Sequence, residues 1–171
     1  MSNKVVDSKA YEIISKHYGD SVATRSQVPL MNHIDEGLQI LACLGATELA
    51  KDAFCIHPIV QIAILDNNQV PDDVLELESF PLAYEYSMKA NSYLCCKETD
   101  YVTSVEDIYN IVGDMTHDCR LMLIADKIQN RKDFTRFHKG THERSDQLTA
   151  YFDLWLQYLF TQEYHYDYTV H

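Results

Sequence analysis

Met115-Thr116-His117-Asp118-Cys119-Arg120-Leu121-Met122-Leu123-Ile124-Ala125-Asp126-Lys127-Ile128-Gln129-Asn130-Arg131-Lys132-Asp133-Phe134 is the stretch whose reading decides the fold. It contains no glycine or proline and is far longer than an ordinary strand. Its apolar positions predict one long amphipathic helix over 115–134. A carboxylate, Asp126, sits in its interior, next to Lys127.

Helical spacing recurs on either side. Tyr11, Ile14 and Tyr18 share a face in 7–18, and Gly19 ends that run. Leu30, His33, Ile34, Leu38 and Leu41 predict a helix over 30–44, stopped at Gly45. Thr47 caps a helix expected to run through Ile56, and Pro58 is expected to start another, because proline fits a first turn. Asn67-Asn68 marks a loop, and Pro71-Asp72-Asp73 opens a short helix. Ser79 is read as the cap of a helix through Tyr93. Ser104 caps one ending near Gly113. The stretch 137–146 is polar and irregular, and 148–160 is a final apolar helix. Its aromatic residues Tyr151, Phe152, Trp155, Tyr158 and Phe160 are expected in the core. Strand-type alternation is weak throughout. The expectation is an all-α helical bundle, with 1–171 as a single domain and no internal repeat.

Composition narrows the function. At 171 residues, with 46% hydrophobic and 23% charged residues, the chain reads as globular. It carries no apolar run of membrane-spanning length and no signal-like N-terminus, so no membrane partner is expected. Five cysteines with no CxxC fit reduced thiols and a cytoplasmic location. The net charge of −12 argues against a nucleic-acid polymer as partner. Within it, 127–144 concentrates Lys127, Arg131, Lys132, Arg136, Lys139 and Arg144 against only Asp133 and Glu143. Such a segment either attracts a small anion or forms a solvated helix face. Self-association is compatible with all of this.

Two histidines complete the pattern. His33 follows Arg25-Ser26-Gln27-Val28-Pro29, and His57 follows Ala53-Phe54-Cys55-Ile56. Two imidazoles and the Asp126 carboxylate, from three segments, can hold one divalent cation if helices pack them together. The tail 164–168 is expected to fray.

The order Arg-Ser-x-x-Pro-x-x-x-His, Ala-x-x-x-His and Ala-Asp-Lys-Ile-x-Asn, over about 25–134, resembles the HD superfamily of phosphohydrolases. Within it, the chain is most similar to the alarmone (ppGpp-like nucleotide) hydrolase domain of the RelA/SpoT homologues. The resemblance implies an HD-like helical bundle and hydrolysis of a phosphorylated nucleotide. It implies a divalent metal, manganese first, held by His33, His57 and Asp126. It further implies nucleotide or phosphate contacts from Arg25 and Asn130, and Lys127 and Arg131 are placed to join them. Two departures stand out. Pro58 replaces the aspartate that follows the second histidine, and Gln61-Ile62 replace a Glu-Asp pair. Glu36, Asp66 and Asp118 are the carboxylates that could substitute. Two readings remain open: a metal-dependent phosphohydrolase, or a degenerate relative that binds or sequesters a phosphorylated nucleotide or serves as an interaction scaffold.

Overall fold

The computed structural model describes residues 8–24, 26–94 and 104–163. Arg25 and the tail 164–168 lie outside the described residues. Among those described, the chain forms eight helices and no strand; one isolated antiparallel bridge joins Val22 to Pro29. The helices are α1 (Lys9–Tyr18), α2 (Met31–Cys43), α3 (Glu48–Leu65), α4 (Asp72–Leu75), α5 (Phe80–Ser92), α6 (Val105–Val112), α7 (His117–Phe137) and α8 (Ser145–Glu163). The protein is an all-helical bundle, and one buried apolar cluster draws side chains from every helix.

Several starts are written locally. Thr47 Oγ1 accepts from the Ala50 N–H at 3.0 Å, and Thr116 Oγ1 accepts from Cys119 at 3.3 Å. Each satisfies an amide that the first turn leaves without a partner. Ser104 caps α6 in the same way. Ser79 does not cap α5: its backbone is already helical and its side chain makes no cap bond. Pro81 near the start of that helix removes one donor that needed a cap.

Two helices depart from expectation. The first is α3, which runs unbroken from Glu48 to Leu65 with Pro58 inside it. Interior proline costs a helix about 3 kcal/mol. Here every residue from Ala53 to Val60 is buried, so packing against α1, α2, α5 and α7 carries the helix through the proline. The second is α7, which is not amphipathic at its centre. Residues 119–127 are buried on every side, including Arg120, Asp126 and Lys127. α7 packs against α2, α3, α5 and α8, and a helix surrounded in this way has no polar face to show.

α8 starts at Ser145, inside the stretch expected to be irregular, and reaches Glu163. Tyr151, Phe152, Trp155 and Tyr158 are buried as expected, whereas Phe160 is exposed. No helix among the described residues is long and apolar enough to cross a membrane.

Gly37 sets the crossing of α2 and α3. A Cβ added there would lie 2.1 Å from the Phe54 ring. The ring therefore lies directly on the α2 backbone. His33, one turn before Gly37, and His57, nearly one turn after Phe54, are drawn to the same point. The Phe54 ring centroid is 5.6 Å from His33 and 4.6 Å from His57.

Candidate metal centre

α2 contributes His33, α3 contributes His57 and α7 contributes Asp126. One donor atom from each lies within 4.8 Å of the other two. His33 Nε2 is 3.3 Å from His57 Nε2 and 3.5 Å from Asp126 Oδ1. Metal–nitrogen bonds of about 2.0–2.1 Å place two donors on one ion roughly 3–3.5 Å apart. The observed spans fit that geometry.

The remaining polar atoms of the three residues are each taken, and this decides which atoms point inward. His57 Nδ1 lies 2.6 Å from the Phe54 carbonyl, which can only accept, so Nδ1 carries the proton. Burial, and then the neighbouring His33, pull the His57 pKa down to about 3, so the ring is neutral at physiological pH. Its Nε2 is then a bare lone pair. For His33 the argument runs through Gln129. The Gln129 amide nitrogen donates to Asp133 Oδ2 at 2.7 Å and to Glu36 Oε2 at 3.2 Å. Its carbonyl oxygen is thereby turned to His33 Nδ1, 2.6 Å away, and accepts that proton. Both imidazoles present Nε2 inward, each oriented through its other nitrogen. Outer-shell partners of metal-bound histidines act in this way.

Asp126 is ionised. Its burial opposes the charge, but Lys127, then His33 and His57, together hold the carboxyl below the usual range. Oδ2 is 3.0 Å from Lys127 Nζ, and Oδ1 accepts from Asn130 Nδ2 at 2.7 Å. Burial, and then Asp126, push the Tyr86 pKa well up.

The three donors open on a pocket of about 280 Å³. The loop between α1 and α2 forms one wall through Ala23, Ser26, Val28, Pro29 and Leu30. Tyr18, Pro58, Gln61, Gln129, Asn130 and Asp133 complete it. The His33 side chain is 20% exposed, so the centre is reachable from solvent.

The other expected residues scatter. Asn130 lines the pocket next to Asp126. Lys127 does not: its ammonium is buried between Asp126 and the Tyr151 hydroxyl, 5.1 Å from the Trp155 ring centre. Burial works against its charge, yet Tyr151 and Asp126 keep its pKa raised. Arg131 turns outward to Asp153 of α8 at 2.6 Å. Neither cation is therefore placed to meet a phosphate in this pocket. The physical reason is helical phase, because one residue past Asp126 is about 100° around the helix.

None of the three substitute carboxylates reaches the donors. Glu36 is held by Lys132 and Gln129, Asp118 accepts from Thr47 Oγ1 at 2.7 Å, and exposed Asp66 follows the end of α3. Gln61 faces the pocket but bonds Asn91, and Ile62 points to solvent. Gln129, the Phe54 carbonyl and Tyr86 shape the centre and were not singled out by sequence reasoning. A usable signal existed for two of them: Gln129 is three residues after Asp126, on the same side of the helix, and Phe54 is four residues before a proline.

Comparison with family models, curated proteins and solved structures gives no match for this chain.

Proposed function

We propose that this chain is a divalent-cation-dependent phosphohydrolase of the HD type, acting on a phosphorylated nucleotide. The observation that carries the reading is the convergence of two imidazole Nε2 atoms and a carboxylate oxygen on an open pocket, with their other polar atoms held by neighbours. A structural core has no need of two imidazole Nε2 atoms turned toward each other and toward a buried carboxylate.

His33, His57 and Asp126 would hold the ion. Two imidazoles and a carboxylate suit manganese, iron or zinc. Such an ion lowers the pKa of a bound water and polarises a phosphoryl oxygen. The protein's own part is orientation: Gln129 and the Phe54 carbonyl aim the imidazoles, and Asn130 and Lys127 steady Asp126. The pocket is at the small end of ligand sites, sized for the phosphorylated end of a nucleotide rather than all of it.

A second reading is favoured by the pocket's carboxylates. Besides Asp126, Asp133 is the only one on the described lining, and its Oδ2 is bound by Gln129. With Pro58 and Gln61 where the HD pattern has acids, no free carboxylate among the described residues stands ready as a general base. On that reading the protein binds a phosphorylated nucleotide without cleaving it.

One experiment tests both. Metal content is measured on freshly purified protein, and a nucleotide panel that includes ppGpp is assayed for hydrolysis in manganese. Stoichiometric metal with turnover supports the hydrolase. Metal-dependent thermal stabilisation by a nucleotide without turnover supports the second reading. No metal uptake and no nucleotide effect reject both.

A further inference from the structure

In an α-helix the carbonyl of residue 54 accepts from the N–H of residue 58. Residue 58 is proline and has no N–H. The Phe54 carbonyl is deep in the bundle, and a buried carbonyl must find a donor. The donor it has is His57 Nδ1, at 2.6 Å. The proline and the histidine are thus linked by one hydrogen-bond vacancy. The residue that cannot donate leaves open the acceptor that its neighbour's ring uses.

We propose that Pro58 is a positioning residue for His57: by leaving the Phe54 carbonyl open, it fixes the proton of that imidazole on Nδ1 and turns a bare Nε2 toward His33 and Asp126. The proline occupies the position at which the HD pattern places an acidic ligand. Its replacement of that acid then does more than remove a charge. It supplies the outer partner that orients the imidazole ligand beside it, in the role that a carboxylate or backbone carbonyl plays for a metal-bound histidine.

Two alternative partners for His57 Nδ1 are excluded by placement. Tyr86 meets the His57 ring edge-on at 4.6 Å between centroids, and Asp126 is the charge that acts on its hydroxyl. His33 meets His57 through Nε2. The ring is 2% exposed, so solvent does not supply the partner either.

The functional consequence rests on the cation reading above, but the tautomer does not. The test uses the full chain with labelled imidazoles. In metal-free protein at neutral pH, nitrogen NMR reports which nitrogen of His57 is protonated. Titration calorimetry with manganese and with zinc reports affinity. Wild type is expected to carry the proton on Nδ1. Pro58→Ala restores an amide that takes the Phe54 carbonyl. The proton then moves wholly or partly to Nε2, the metal Kd rises about tenfold, and Tm is unchanged or higher. A wild-type proton on Nε2 overturns the proposal, whether or not the variant folds. So does a Pro58→Ala protein that keeps the Nδ1 proton, or one that moves it with no change in Kd. Wild type that shows the Nδ1 proton yet binds neither metal leaves the proline's action on His57 standing and removes the cation reading instead.

Discussion

The Nε2 atoms of His33 and His57 are 3.3 Å apart, and the partners of the two Nδ1 atoms turn both Nε2 atoms to the same place. Two ring nitrogens this close repel unless a proton or a cation lies between them. The bundle holds them together regardless, because the rings are fixed by the Phe54 contact, by Gln129 and by the backbone of α3.

Gln129 is the acceptor for the His33 proton. Gln129→Ala is expected to lower metal affinity by about ten- to a hundredfold while the fold persists. Calorimetric titration of the variant checks this; an unchanged Kd removes Gln129 from the centre.

Asp126 and Lys127 form a buried pair. Asp126→Ala is expected to destabilise the protein by about 3–5 kcal/mol, because it leaves an ammonium buried without its anion. Asp126→Asn/Lys127→Met should recover much of that loss and still bind no metal. Denaturant melts and metal titration of both variants separate stability from ligation. Equal stability of the two variants would show that the pair is not coupled.

The His57 pKa lies below its unfolded value of about 6.5. Between about pH 6.5 and pH 3 the unfolded chain binds a proton there that the folded chain refuses. Stability is therefore fully present above pH 6.5 and falls as pH drops toward 3, by up to about 1.4 kcal/mol per pH unit for this one group. Asp126, also held low, adds a loss in the same direction at lower pH. Metal-free melts across this range should show the slope, and His57→Gln should flatten it above pH 4.5. A slope that survives His57→Gln unchanged assigns it to other groups.

Gly37→Ala puts a methyl group into the Phe54 ring. Overpacking of this kind costs about 1–3 kcal/mol. The ring must shift, and His33 and His57 move apart with it. The expected outcome is a lower Tm together with weaker metal binding. Gly37→Ala/Phe54→Leu should recover more of the Tm than of the metal affinity, since leucine lacks the flat face that supports both imidazoles.

Helix identity was legible wherever a short-range signal existed. Thr47, Ser104 and Thr116 cap the helices that follow them, and Gly19, Gly45 and Gly113 lie just beyond helix ends with positive φ. Pro58 reads locally as a helix start, whereas the packing that carries α3 through it comes from distant helices. The polar stretch 137–146 reads as irregular to its end, whereas Ser145 already begins α8. Lys127 and Arg131 looked like an anion site in linear order. In space one is buried against Asp126 and the aromatic rings, and the other is tied to Asp153.

By itself the sequence indicated an all-α fold, and it named His33, His57 and Asp126 as three candidate ligands. Both follow from local chemistry: periodicity, caps, and residue types able to bind a cation. Only the tertiary structure decided that those three donors meet, which ring nitrogens face inward, and that neighbouring cations turn away from the pocket. These depend on the phase of each helix against its partners and on contacts across 24 to 96 residues of sequence, such as His33 with His57 and with Gln129, which no local pattern encodes.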